Sequence, residues 1–499
     1  MSVKSNVTVL YSVFEDNSAV VGGTIFHTNC DVEFNCSIEE IISTSIDLPY
    51  SICTSRIEEK RGVSTHDSTY SLDVNLMNIS HCKFFNNYAT GPSIGDGVGD
   101  VVSELFVPKF GGGVMYALLT DVFISHSEFI NNTAKNGGGG VVYADIVNIS
   151  IISSQFINNS VYHGQGGVVF VREQVNIIVT HSNFTNSSAS LGGIVSLGRP
   201  LYATVEITHS QFTNNKAISG GIIDFGVHNR SLAKITISHS VFVNNVVERF
   251  GGVVSVAHGD ASSRFYQCIS YVHIIQTNFI HNQGKVGGVM YTEDCPTYVN
   301  ITLSKFIANS CTTKGGVMAL LSTKQLNVAN NEFTSNTAHS AGIAYIEGGV
   351  VSIAHNKFYN NTALDGGVFS IKDHCRAAIT YINNSATAGN GGVIVIVSST
   401  MTMAHSEFIN NRAKQDGGVL WSDDSDRVEI TMLRNKFLHN KAFKKGGVLN
   451  ILKGILTISN SSFDNNSVGN DGGAIYVSQT DTEIIESIFE SNRAEVLTL

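Results

Sequence analysis

Carboxylates gather at a few places along this chain of 499 residues. Asp423-Asp424-Ser425-Asp426 is one compact cluster and Glu293-Asp294 is another, while Glu347 and Asp373 occupy nearly matching places in neighbouring repeats. Paired carboxylates on one face can serve glycoside cleavage as acid and base, and carboxylate clusters can hold calcium. No cluster here combines its carboxylates with the Arg, Lys and His such chemistry needs, so solvated turns are the expectation. Histidine recurs three residues before a phenylalanine, at His81, His126, His181, His209, His239, His355 and His405. His181, His209 and His239 fall in consecutive repeats and should form a stack. Such a stack could ligate metal or repel itself on protonation; the plainer expectation is an outward turn residue copied by duplication. Trp421, the one tryptophan, could offer a sugar-stacking face but is expected to pack at the edge of a coil. No Gly-x-Gly-x-x-Gly stands between a strand and a helix, so nucleotide binding is rejected.

What must position these residues is a repeat. Ser127-Glu128-Phe129-Ile130-Asn131-Asn132-Thr133-Ala134 is followed by Gly139-Gly140, and the pattern returns around Phe212 with Gly220-Gly221 and around Phe408 with Gly417-Gly418. A fixed period decides the architecture before any other feature. The phenylalanine place is read at Phe14, Phe84, Phe129, Phe156, Phe184, Phe212, Phe242, Phe279, Phe306, Phe333, Phe358, Tyr381, Phe408, Phe437, Phe463 and Phe489. Segments before it alternate and are β-branched, as in Ile235-Thr236-Ile237; a second short strand follows each Gly-Gly, as in Val253-Val254-Ser255. Two or three short strands in about 27 residues make one coil of a parallel β-helix. The expected fold is all-β: a single solenoid over 1–499, with 16 or more coils and irregular inserts at 28–76 and 91–110 that hide or replace at least one coil. The phenylalanines should stack internally, Asn three residues later should form an amide ladder, and Ala at a crowded corner should stay small. Gly-Gly should supply backbone angles a Cβ forbids.

Insertions concentrate in the turn after the Gly-Gly strand, at 224–233, 258–268, 293–297, 372–376 and 422–427. They mark a candidate ligand edge carrying Asp224, His258, Glu293, Asp294, Asp373, Trp421, Asp423, Asp424 and Asp426. Charged residues are only 14% and the net charge is −10 without a Lys/Arg run, which speaks against nucleic acid. No apolar run reaches a membrane-spanning length, and the first residues lack the apolar core of a signal peptide. The repeat runs close to both ends without a polar cap, which suggests an internal stretch of a longer protein.

Eight cysteines are present. Cys268 and Cys295 each lie 11 residues before a phenylalanine, so they share a slot in adjacent coils, and a disulfide staple is expected. Cys30, Cys36, Cys53 and Cys82 cluster around the first insert and could bridge there. Sequons are frequent, with Asn229 the best placed for a glycan. Together these argue for an extracellular setting.

The pair Phe-x-x-Asn and Gly-Gly-Ala-Ile, the latter complete at Gly472-Gly473-Ala474-Ile475, resembles the repeat pair of the chlamydial polymorphic outer membrane proteins. Similar motifs occur in right-handed β-helices of the pectin-lyase type. The resemblance implies a β-helical passenger with a role in adhesion, and the crossover rule makes it right-handed. The expected function is therefore a non-catalytic, extracellular or cell-surface rod that binds a protein or glycan without cofactor, metal or membrane insertion. The alternative is a polysaccharide lyase or hydrolase, although the polygalacturonase-type signatures Asn-Thr-Asp and Gly-His-Gly are absent.

Overall fold

The computed structural model describes residues 7–19, 25–28, 75–90, 112–118, 120–145, 147–173, 175–198, 200–227, 231–258, 268–365, 367–380 and 383–495. These form a right-handed parallel β-helix with three faces. The first face is a 16-stranded sheet, the second a 30-stranded sheet with two short strands per coil, and the third a 15-stranded sheet. Every described pairing between strands is parallel and joins one coil to the next, as in Ile149↔Ile177 and Val142↔Val169.

Alternation builds the first face. Val147–Ile152 buries Val147, Ile149 and Ile151 and turns Asn148, Ser150 and Ile152 outward. The strand ends at a left-handed residue: His126 (φ 47), His209 (φ 48) and His239 (φ 48), with Ser153 (φ 48), Asn330 (φ 58) and Asn460 (φ 48) in the same place. Histidine and asparagine tolerate this conformation better than most residues, which explains why both recur there.

Next comes the phenylalanine. Rings from Phe14 through Phe84, Phe129, Phe156, Phe184, Phe212, Phe242, Phe279, Phe306 and Phe333 to Phe358 stack at centroid spacings of 4.6–5.1 Å. Burying each contributes roughly 1.5–3 kcal/mol. The column then breaks. Register places Asn384, not Tyr381, between Phe358 and Phe408; Tyr381 itself lies outside the described residues. Phe358 instead meets Phe369 of the third face edge-on at 5.2 Å. Stacking resumes along Phe408, Phe437, Phe463 and Phe489.

The two asparagines after the phenylalanine divide the work expected of one. The first takes the left-handed corner and faces solvent, as Asn131 (φ 56) and Asn158 (φ 54) do. The second is fully buried and forms the ladder. Asn132 donates from Nδ2 and from its backbone N–H to Asn159 Oδ1, both at 3.0 Å, and again from Nδ2 to Phe84 O at 3.0 Å. A second buried ladder lies on the other side of the ring column. Ser127 N–H donates to Ser154 Oγ at 3.2 Å, Ser154 N–H to Ser182 Oγ at 3.1 Å, and Ser182 N–H to Ser210 Oγ at 3.1 Å. Cys82, Thr277, Asn331, Asn356 and Asn435 substitute in that place.

The Gly-Gly corner needs both glycines for different reasons. The first has a positive φ, such as +71 at Gly139. A Cβ on the second would lie about 2.1 Å from the next coil's carbonyl, as for Gly167 against Gly193 O.

Most of the stretches 28–76 and 91–110 lies outside the described residues. The coils flanking the first insert are nonetheless adjacent: Phe14 pairs with Phe84, and Ile25 with Met115. No described coil stands between these two, and the coil expected within 28–76 and 91–110 falls outside the described residues.

Candidate functional site

The edge between the third and first faces is where turn length varies. Between Phe369–Lys372 and Arg376–Thr380 the link has three residues, as it does between Ile394–Ile396 and Thr400–Ala404. Between Leu420–Ser422 and Val428–Leu433 it has five, and between Leu449–Ile451 and Gly454–Ser459 only two. Beside the long link lies a concavity of about 350 Å³. His374, Arg376, Ser399, Thr400, Arg427, Glu429 and Ile455 line it. Arg376, Thr400, Glu429 and Ile455 are successive outward residues of the first sheet. Arg427 is held across the gap by Asp481 at 2.8 Å. The concavity offers guanidinium donors, a carboxylate acceptor and hydroxyls over an apolar patch, which is a set that hydrogen-bonds polyhydroxylated ligands.

The acidic cluster lies on the same five-residue link as Arg427, which lines this concavity. Asp426 accepts from Ser398 Oγ at 2.7 Å, and Asp423 Oδ1 accepts from the Ser425 N–H at 3.3 Å, while Asp424 is exposed. Asp373 (φ 58) and His374 (φ 62) form a left-handed turn two coils away, of which His374 lines the concavity. Glu347 pairs in register with Lys372, so Glu347 and Asp373 are one residue out of step.

Asp224 and Trp421 are not turn residues. Both sit on strands of the third sheet and belong to a column on its outer side that runs Tyr116, Tyr143, Phe170, Ser196, Asp224, Ser255, Tyr291, Ala319, Tyr345, Ser370, Val395, Trp421, Asn450 and Tyr476. Most of its members are buried although they face away from the core, because the approach to each Gly-Gly corner folds over them. Lys314 donates to Tyr345 Oη at 3.2 Å and lies 4.3 Å from the ring centroid; Lys445 treats Tyr476 the same way at 3.1 and 4.4 Å. Trp421 packs its Cβ near Gly391 and Gly417 and keeps a partly exposed ring. Alternation within the Gly-Gly strand carried the signal for this column, which sequence reasoning did not use.

Burial pushes the Asp224 carboxyl up to about 7, against hydrogen bonds from Ser255 and Ser196 that favour its ionised form. A free carboxyl in the unfolded chain titrates near 3.9. The folded protein therefore holds more protons between these values, and stability falls as pH rises from 4 to 7. Asp224→Asn should match the wild type near pH 4 and exceed it at pH 8. Part of the residue remains accessible to solvent, so the expected gain is about 1–2 kcal/mol. Thermal unfolding of both proteins across this range is the check, and a variant less stable at pH 8 would refute the assignment.

Glu293 accepts from the Tyr291 hydroxyl, and Asp294 (φ 60) is an exposed turn residue. Together with burial, the contact pushes the Tyr291 hydroxyl far above the usual range. His258 ends the strand Val254–His258; its side chain and residues 259–267 lie outside the described residues.

Cys268 and Cys295 do share a slot in adjacent coils, but both are free thiols and no staple forms. Cys268 Sγ donates instead to Asp294 O at 3.6 Å. The Cys295 thiol hydrogen-bonds Cys268 and pulls the latter's pKa down, while that contact and burial push Cys295 up. Cys82 is a buried thiol that donates to Ser80 O at 3.1 Å; Cys30, Cys36, Cys53 and Asn229 fall outside the described residues.

The histidine stack forms as its spacing required. His181–His209 and His209–His239 ring centroids are 4.9 and 4.8 Å apart with planes within 7°. Among the described residues no group of three or more His, Cys, Asp or Glu is arranged to hold a metal ion, and no helix is long and apolar enough to cross a membrane.

Residues 316–494 match the family model of the right handed beta helix region. No curated protein and no solved structure matches the chain. Match and coordinates agree on the class: this is a right-handed parallel β-helix.

Proposed function

We propose that this chain is a non-catalytic binding rod of the extracellular space or cell surface, adhesin-like, that engages a glycan or protein along its side. The observation that supports this reading is the edge itself. Regular coils hold a rigid scaffold roughly 70 Å long, and departures from regularity collect between the third and first faces, where Arg376, Arg427, Glu429 and Thr400 border the concavity. The carboxylates that a hydrolytic or lyase reading would recruit are dispersed: Asp224 sits in the third-sheet column, Asp426 is bonded to Ser398, and Glu293 is bonded to Tyr291. The repeat pair shared with chlamydial passengers points the same way.

Purified rod displayed against immobilised glycans and cell surfaces tests the reading. The double variant Arg376→Ala, Arg427→Ala should lose at least about tenfold in affinity, as expected when charge-assisted bonds are removed, while its far-ultraviolet spectrum is unchanged. Incubation with uronic-acid polymers should yield neither unsaturated product nor new reducing ends; turnover of such a polymer would overturn the reading in favour of an enzyme.

A further inference from the structure

The corner between the first and second faces asks only for a residue that tolerates the left-handed conformation. Asn330, Asn460 and Ser153 meet that demand without an imidazole. Yet three consecutive coils place His181, His209 and His239 there, exposed and stacked at 4.9 and 4.8 Å. On the first face of the same coils lies a depression of about 140 Å³ lined by Asn176, Thr204, Glu206, Lys234 and Thr236. Thr236 of the depression and His239 of the stack are three residues apart on the same coil, as are Glu206 and His209.

We propose that this stack and the adjoining depression form a binding site for a linear sulfated glycan, engaged at mildly acidic pH. Histidine is the side chain whose charge ordinarily changes between about pH 5 and 8. Protonation of stacked rings sets like charges one coil apart, which repel unless an anion lies across them. A chain of sulfates along the rod axis relieves that repulsion at each ring, and sugar hydroxyls find amide, hydroxyl and ammonium partners in the depression.

The groups packed around the stack permit this. On the first-face strands Val175–Thr180, Tyr202–Thr208 and Leu232–Ser238 the titratable residues are Tyr202, Glu206 and Lys234. The second-face strands Asn183–Thr185, Gln211–Thr213 and Val241–Val243 carry none. On the flanking coils, Val147–Ile152 and Gln155–Ile157 carry none, and Ile269–Ile275 carries Tyr271 and His273. Glu206 is the one carboxylate on these strands, and Lys234 lines the depression with it.

This inference rests on the reading of the rod as a binding module, and it is tested separately from the Arg376 concavity. The probe is a heparin-derived oligosaccharide, and the measurement is affinity for the full chain at pH 5.5 and 7.5. Wild type should bind at least tenfold more tightly at pH 5.5. The triple variant His181→Asn, His209→Asn, His239→Asn keeps residues suited to the corner and should lose at least tenfold at pH 5.5 with unchanged thermal stability. The double variant His81→Asn, His126→Asn, which disrupts the separate pair that those two rings form at 4.9 Å, should retain wild-type affinity. Equal loss in both variants means diffuse charge rather than a site and overturns the proposal. So does a triple variant that binds like wild type, in which case glycan or cell binding lost with Arg376 would still stand. A wild type that binds neither heparin nor any surface overturns both.

Discussion

Asn282→Asp is expected to destabilise the rod more than Asn282→Ala at pH 8, although aspartate is nearly the same shape. Asn282 Oδ1 accepts from Asn245 N–H at 3.1 Å and from Asn245 Nδ2 at 2.9 Å. Its own Nδ2 donates to Asn309 Oδ1 at 3.1 Å and to Phe242 O at 2.9 Å. Alanine leaves these partners buried and unmet, for a loss of about 2–3 kcal/mol. A carboxylate keeps the first pair but turns a second oxygen on two acceptors and adds a buried charge, for about 4 kcal/mol or more. Burial raises the carboxyl's pKa in the folded state above its unfolded value, so the folded variant binds more protons. Its stability should recover as pH falls toward 4, because the protonated acid can donate one bond. Serine should be the mildest change, since Ser187 already stands in the ladder and accepts from Asn159 N–H at 3.3 Å. Chemical denaturation of the three variants at pH 5 and 8 gives the order; an Asn282→Asp variant as stable as wild type at pH 8 would refute the directional ladder.

Phe242→Ala should cost about 3–5 kcal/mol from the cavity alone. Its ring lies 4.6 Å from Phe212 and 5.1 Å from Phe279, so two aromatic contacts of about 0.5–1.5 kcal/mol each go with it. Because coils bind chiefly to their neighbours, the deficit is local and weakens the coupling between the coils on either side. A single calorimetric transition in the wild type should divide in two, whereas Phe242→Leu should leave one transition at a modestly lower temperature. An undivided, unshifted transition in Phe242→Ala would show that the ring column does not couple the coils.

The scaffold was readable because it is periodic: the phenylalanine slots, the small corner residues such as Ala134 and Ala442, and the histidine stack all follow from spacing alone. Where one residue type serves two ends, spacing failed. Asn131 and Asn132 look alike in sequence, yet one bends the backbone and the other holds two coils together. Tyr381 was the natural aromatic for its coil, but the pairing Ala354↔Thr380 runs on in step to Phe358↔Asn384, so the slot falls to an asparagine. The Cys268–Cys295 pairing was right in position and wrong in chemistry: the two share a slot but stay thiols joined by a hydrogen bond. The uneven links between the third and first faces were legible as insertions in the repeat, but Arg376, Arg427 and Glu429 escaped notice. Nothing in their own neighbourhood singles them out; they meet only across successive coils with links of unequal length, a comparison between coils rather than a motif within one.

The primary amides of the buried ladder all turn their oxygen to the coil before and pass an Nδ2 hydrogen to the amide oxygen of the coil after, the other Nδ2 hydrogen reaching back to a phenylalanine carbonyl. Dipoles lined up in this fashion add, as peptide units do in a helix, and lend the object a head and a tail, with partial positive charge toward the later coils. Two such bodies lying flank to flank would therefore sit more comfortably nose to heel than side by side in the same sense.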